Sequence, residues 1–445
     1  MKKTPAANSL FFILAMTSLS APSYALYTLR DIGSLGCSSV GYGINNKGQI
    51  IADSTTSCTA GAPTHGVTTA IGSNKLIDLG SLLGKGGTSS GRGINDSGQV
   101  TGESVAMPFQ YSHAIMTKKN SLQLIDLGTL YGGANSSGYG INTKGQVSGS
   151  STTTKGRYGA SMHAFITSAN NTLSMIDLGT LGGQNSYGTE INKSGQITGY
   201  SQLLGNRLDP QKNAIVHAFI TDVSTNKMTD IGTLGGYSSQ GYGLNDKGQV
   251  AGYSDIRDFT FQHAFVTHPT TRKMIDLGTL GGNNSKAYGI NSKGDTTGTA
   301  ARADNKMVAF VALQNHMYDL QKLLVKGSGT GWLLQMGRSI NDIGQIVGTG
   351  TYNGQLRAFV ASPAKLNIEQ PSHGVIRSTP VGINCGPSCV EHFTGADSPS
   401  ITLSAVAEKG YIFSGWGGVC KGTVATCIVK MDTDKTVSAK FTIKR

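Results

Sequence analysis

The sequence predicts an all-β chain. The expected fold is a seven-bladed β-propeller of four-stranded blades, its last blade closed by an N-terminal strand, with a small disulfide-containing β-rich domain after it. Three observations predict this. First, one phrase recurs, and its asparagine falls at Asn45, Asn95, Asn142, Asn192, Asn245, Asn291 and Asn341, at spacings of 46 to 53 residues. A period of that length, holding several short strands, marks a propeller or a solenoid. Second, no segment of the unit carries a sustained helical period, and 62 glycines among 445 residues disfavour helix. Third, the two ends of the array are complementary, which an open solenoid does not explain.

Taken in order, residues 1–25 read as a secretory signal. Lys2 and Lys3 make the positive start, Leu10 to Met16 (LFFILAM) the apolar core, and Ser23-Tyr24-Ala25 the small-residue cleavage site. That core is too short to span a membrane, and no other stretch is apolar enough. The expected product is a secreted, extracellular or periplasmic protein beginning near Leu26.

Residues 26–361 form the array. In one unit, GYGIN (241–245) is the first strand and N-D-K-G (245–248) its turn. Asparagine there bonds the backbone two residues on, and glycine takes the left-handed conformation. QVAGYS (249–254) is the second strand, HAFV (263–266) the third and MIDLG (274–278) the fourth. The third-strand alanine is placed at Ala70, Ala114, Ala164, Ala218, Ala264, Ala309 and Ala358. The fourth-strand aspartate is placed at Asp31, Asp78, Asp126, Asp177, Asp230, Asp276 and Asp319. The chain opens on YTLRDIG (27–33), a lone fourth strand, and the array closes on first to third strands at 340–348 and 358–360. The opening strand can therefore complete the last blade and remove a free edge.

The ordered words DLGTLGG, SxGxGIN, GQVxG and HAF resemble the bacterial extracellular HAF-repeat family over about residues 27–361. The resemblance implies secretion and repetition but no reaction. Asp295 departs from it, standing where Gln49, Gln99, Gln146, Gln196, Gln249 and Gln345 stand elsewhere. Residues 362–371 (SPAKLNIEQP) read as a linker. Residues 372–445 carry alternating strands at 401–407 and 436–443. With GINCGPSC, KGYIFSGWGGVC and CIVKM they resemble a divergent internalin-type B-repeat, which implies a compact β-grasp-like sheet.

Six cysteines in an exported chain read as disulfides. Cys385–Cys389 and Cys420–Cys427 are expected as local clasps, and Cys37 and Cys58 flank the first hairpin and could bridge it. Trp416 is expected to plug the small domain's core. The formal net charge is +12, spread without a basic run, so no nucleic-acid partner is expected. Envelope or host glycans and surface proteins remain allowed partners.

His113, His163, His217 and His263 recur before the third-strand alanine, where Thr69, Val308 and Arg357 stand in other units. One histidine per blade is too far from its copies to share an ion, so they are expected to pack or hydrogen-bond, with no metal and no cofactor. The Asn-x-x-Gly turns lack the carboxylates of a calcium loop. The fourth-strand aspartates are expected to cap backbone amides. Positions where the copies differ are more informative. Two residues before each asparagine stands glycine, except Glu190 and Ser339. One residue earlier stand Arg92 and Arg338 among tyrosines. If this strand is innermost, Glu190, Arg92 and Arg338 meet at the central channel. The loops between second and third strands vary most and carry Phe109, Tyr111, Arg157, Tyr158, Arg207, Arg257, Phe259 and Phe261. Aromatics and arginines on such loops suit a binding surface.

No GxSxG elbow or paired-carboxylate constellation stands out among the five glutamates Glu103, Glu190, Glu369, Glu391 and Glu408. The reading is therefore a secreted or surface-exposed, non-catalytic binding or adhesion protein using one loop face. The alternative is a polysaccharide lyase or hydrolase acting in the channel near Glu190.

Overall fold

A computed structural model describes residues 27–444, except 74, 107–110, 155–160, 169–173, 206–207, 209–213, 258–260, 380, 386–388 and 393–399. Phe109, Arg157, Tyr158, Arg207 and Phe259 lie outside the described residues, as does the signal segment 1–25. Among the described residues, no helix is long and apolar enough to cross a membrane.

Seven four-stranded antiparallel sheets follow one another in a propeller-like pattern. Sheet one comprises Ser39–Ile44, Ile50–Thr55, Thr64–Thr69 and Leu76–Asp78, hydrogen-bonded in that order. The order repeats to sheet six, which ends at His316–Asp319. Sheet seven comprises Trp332–Ile340, Ile346–Tyr352 and Gln355–Pro363. Its fourth strand is Tyr27–Asp31, paired antiparallel from Tyr27 opposite Pro363 to Asp31 opposite Phe359. The N-terminal strand thus completes the last sheet. Tyr27 is fully buried there among Leu320, Leu334 and Phe359.

The turn asparagines stitch the sheets together. Within sheet one, the Asn45 side-chain oxygen accepts from the Lys47 and Gln49 amides, and Gly48 sits at φ +75°. The Asn45 side-chain amide donates to the Asn95 carbonyl of the next sheet. Asn95, Asn142, Asn192, Asn245 and Asn291 repeat this contact in turn, and Asn341 donates back to the Asn45 carbonyl. The chain of seven hydrogen bonds therefore ends where it began.

Between neighbouring sheets lie apolar layers built on third-strand residues. Phe165, Phe219, Phe265, Phe310 and Phe359 are fully buried, each beside the flat surface of a second-strand glycine such as Gly149 or Gly252. A β-carbon at Gly149 would come within 2.7 Å of the Phe165 ring, which explains glycine in that strand.

Two details differ from expectation. The first unit's third-strand word is His65-Gly66-Val67, not the triplet around Ala70, because Ser54 pairs with His65 and Ala52 with Val67. The stretch 362–371 is not a linker. Ser362 and Pro363 end the last strand of the array, and Lys365–Ile368 is a strand of the C-terminal domain. Only the buried Ala364 separates the two strands.

That domain departs from the β-grasp-like expectation. It has two four-stranded sheets sharing one core, and its described residues contain no helix. One sheet runs Val390–His392, Lys365–Ile368, Lys435–Ile443, Tyr411–Gly418; the other runs Asn384–Cys385, Gly374–Thr379, Ser400–Ala407, Thr426–Lys430. Leu366, Val437 and Trp416 from the first meet Ile376, Leu403 and Val429 from the second. The Trp416 indole donates to the Val424 carbonyl. Cys385–Cys389, Cys420–Cys427 and, in sheet one of the array, Cys37–Cys58 are bridged. In the thin core of the C-terminal domain, each of its two bridges contributes about 2–4 kcal/mol.

Candidate functional site

The first strand of every sheet carries the same irregularity. In sheet one, Gly41 pairs with Ala52 and Gly43 with Ile51, so Tyr42 has no partner. The same skip occurs at Arg92, Tyr139, Thr189, Tyr242, Tyr288 and Arg338. A bulge of this kind re-aims the unpaired side chain. All seven of these residues line one cavity of about 410 Å³, joined by Glu190, Tyr187 and Tyr200. A second cavity of about 220 Å³ lies on the side of the asparagine turns, walled by residues of all seven first strands. Tyr42, Arg92, Glu190, Tyr288 and Arg338 line both, so they form the waist between the two.

Small residues flank the bulges because neighbouring strands crowd there. A β-carbon at Gly93 would sit 2.5 Å from the Tyr139 carbonyl oxygen, and one at Gly41 would sit 2.8 Å from that of Gly348. Glu190 takes a slot that is glycine in five other sheets. Its carboxyl lies over Gly140 of the preceding sheet, where a β-carbon would approach Oε1 to 2.6 Å. Oε1 accepts from the Ile191 amide at 3.0 Å. Burial pushes the carboxyl up to about 7, only partly offset by that hydrogen bond. The residue nevertheless keeps partial exposure toward the cavity.

One arc of the wall is aromatic. Tyr187 stacks on Tyr200 at 4.8 Å, Tyr242 on Tyr253 at 5.7 Å, and Tyr242 meets Tyr288 edge-on at 5.3 Å. Lys286 lies over the Tyr253 ring at 4.2 Å, and burial lowers its pKa. The opposite arc is charged. Arg92 stacks on Tyr42 at 4.2 Å and pairs with Asp53 at 3.6 Å and Glu103 at 3.5 Å. Arg338 lies 5.5 Å from the Tyr42 ring and 5.1 Å from that of Tyr288. Its buried Nε has no hydrogen-bond partner.

Arg92, Glu190 and Arg338 all line the larger cavity. Glu190 is ion-paired with neither arginine. Sequence reasoning passed over the tyrosines as site residues. The signal was present as a repeated Gly-x-Gly whose middle residue changes from copy to copy. Of the loop candidates, Arg257 and Tyr111 are exposed and Phe261 is half-buried. The histidines behave as expected. His113, His163, His217 and His263 bond Asp126, Asp177, Asp230 and Asp276 through Nδ1 at 2.8–3.0 Å. His65 does the same with Asp78. The aspartates also accept amides, as from Gly128 and Gly232. In sheet six, where Val308 stands in the histidine's place, Arg302 from the end of the second strand pairs with Asp319 at 2.7 Å.

A model of the divergent InlB B-repeat domain matches residues 393–445. Comparison with curated proteins finds no match. Among solved structures the chain is similar to TolB from Acinetobacter baumannii, with 12% identity and a TM-score of 0.37 over 57% of this chain and 62% of that one. The chain therefore spans under two thirds of that protein's length. It is also similar to an oligogalacturonate lyase in complex with manganese, with 8% identity and a TM-score of 0.47 over 75% of this chain and 93% of the other. A Mycobacterium tuberculosis puromycin-hydrolyzing peptidase matches with 9% identity and a TM-score of 0.48 over 94% of this chain and 68% of that one. Likenesses this distant assign no reaction to the chain. They do correct the expectation that it is not an enzyme. Several of the matching proteins are enzymes, so a missing sequence motif is no ground for excluding catalysis.

Proposed function

We propose that the seven sheets close into a seven-bladed propeller, and that its axial cavity performs acid–base chemistry on a polysaccharide as a lyase or hydrolase, with Glu190 transferring the proton. The observation that carries this reading is the carboxyl at the waist. Glu190 stands where most copies carry glycine, and it faces both cavities. It is held between its protonated and ionised forms near neutral pH, as a general acid or base needs to be. The returning ring of asparagine hydrogen bonds and the N-terminal clasp support closure. Tyrosines offer flat apolar faces to sugar rings and phenols to their hydroxyls. Secretion and HAF-type membership of residues 27–361 complete the proposal, on the signal-like N-terminus and the repeated words. The B-repeat-like domain is then an accessory envelope module.

A screen of purified protein on a polysaccharide panel tests this. Turnover is expected, and Glu190→Gln should lower kcat by about 10²–10⁴-fold without lowering the melting temperature. Wild-type protein inert on the whole panel, or turnover indifferent to that substitution, would end the proposal. The varied loops would gather the polymer. Alanine at Arg157, Tyr158, Arg257 and Phe259 should raise KM several-fold, on the order of 1 kcal/mol for a good anchor.

A further inference from the structure

We infer that Arg338 reads a carboxylate on the substrate, so that the polymer is a polyuronate and the reaction is β-elimination. This rests on the proposed function of the cavity. The two guanidinium groups of the wall are not equivalent. Arg92 is already neutralised by Asp53 and Glu103. Among the described residues no carboxylate pairs with Arg338, and its buried Nε lacks an acceptor. The Tyr42 and Tyr288 rings flank it at 5.5 and 5.1 Å, and from the bulge it lines the cavity. A fixed, partly desolvated guanidinium lacking an anion is costly to the protein alone. It is matched in shape by a planar carboxylate that accepts two hydrogen bonds.

The carboxyl inventory of the waist points the same way. Among the described residues lining the larger cavity, Glu190 is the only carboxyl. On the turn side, Asp96, Asp246 and Asp342 are committed to the amides of Asn46, Lys193 and Ser292. Glycoside hydrolysis ordinarily uses two carboxyls flanking the bond. Elimination from a uronate needs one base and one cation. Ionised Glu190 takes the proton from the carbon next to the carboxylate. That electron pair forms a carbon–carbon double bond as the glycosidic carbon–oxygen bond at the adjacent carbon breaks. The departing sugar oxygen takes a proton from water, and the hydroxide left behind takes the proton from Glu190. Arg338 stabilises the charge that builds on the carboxylate meanwhile. One chain becomes two, the new non-reducing end is unsaturated, and no oxidant is required.

The test uses the full-length protein, a polyuronate and the same polymer with its carboxyls reduced to alcohols. Product is followed both as new reducing ends and as ultraviolet absorbance of the conjugated double bond. The two signals should rise together on the polyuronate, and neither should rise on the reduced polymer. Arg338→Gln should lower kcat/KM about tenfold or more, through both a higher KM and a lower kcat, with Arg338→Lys recovering part of the loss. Reducing ends without absorbance would mean hydrolysis. That result, or equal turnover of the neutral polymer, overturns the inference while leaving Glu190 in its role. No turnover of any polysaccharide removes the proposed function and this inference with it. The first two readouts use unaltered protein, so a variant that misfolds does not blunt them.

Discussion

Two rings of residues lie three positions apart on the same seven strands. At the turn, all seven positions are asparagine, and each bonds its own hairpin and the next sheet. At the bulge, the residues are Tyr42, Arg92, Tyr139, Thr189, Tyr242, Tyr288 and Arg338. Both rings face inward on one backbone geometry, yet one is uniform and the other is not. Where a side chain has a stitching duty, only one chemistry fits. Where the ladder releases a side chain into a cavity, the fold tolerates several, and chemistry can be selected there.

The largest expected effect breaks both rings together. Deleting residues 27–31 removes the fourth strand of sheet seven and leaves the cavity once filled by Tyr27. We expect roughly 5 kcal/mol or more of lost stability and a broadened calorimetric transition. A deletion variant melting like the intact chain would refute the picture of a clasped ring.

Next, the asparagine ring should be intolerant and the bulge ring tolerant. Asn192→Ala leaves Gln196 and the Asn245 carbonyl without their partners. Its expected cost is about 2–4 kcal/mol in denaturant melts. Tyr139→Thr, the residue found at the bulge of sheet four, should cost under about 1 kcal/mol. Equal costs would erase the distinction.

The third effect depends on pH. The folded-state pKa of Glu190 lies above its unfolded value, so the folded protein holds that proton more tightly. Stability from this group is therefore present in acid and is lost as pH rises from about 4.5 through about 7. Glu190→Gln should raise the melting temperature at pH 8 relative to wild type, by on the order of 2 kcal/mol in free energy, and hardly change it at pH 4. If Glu190 acts as the base, wild-type kcat/KM should climb across the same interval near pH 7. A flat profile argues for a carboxyl outside the chemistry.

The smallest effect concerns the outer rim. Burial raises the Asp177 carboxyl, but the hydrogen bonds from His163 and the Gly179 amide outweigh it, so its pKa sits below the ordinary value. Stability from this pair is present above the unfolded carboxyl pKa and fades as pH falls through the folded one. Asp177→Asn should flatten the acid limb of the melting curve by roughly 1 kcal/mol or less, with no change in activity.

Much of this was legible beforehand because repetition reports backbone geometry. Asn-x-x-Gly specifies its hairpin from within five residues, and complementary end strands announce their pairing. The cysteine clasps were local enough to read. The parts that failed depended on strand pairing, which local pattern does not carry. The first unit's degenerate HGV word could be aligned only once Ser54 opposite His65 was known. Lys365–Ile368 looked like a linker until its parallel pairing with Lys435–Ile443 appeared, about seventy residues on.

From the sequence alone came the number of sheets and their strand order, since those follow from periodicity and local turn chemistry. Tertiary structure decided what the first strand of each sheet does. A skipped rung is invisible in a list of residues, because it exists only in the register between two strands. That register turns seven variable side chains toward one cavity, leaves Arg92 neutralised and Arg338 not, and folds the Glu190 carboxyl over Gly140. Burial and charge at such a place are properties of neighbours from several sheets, and no single segment carries them.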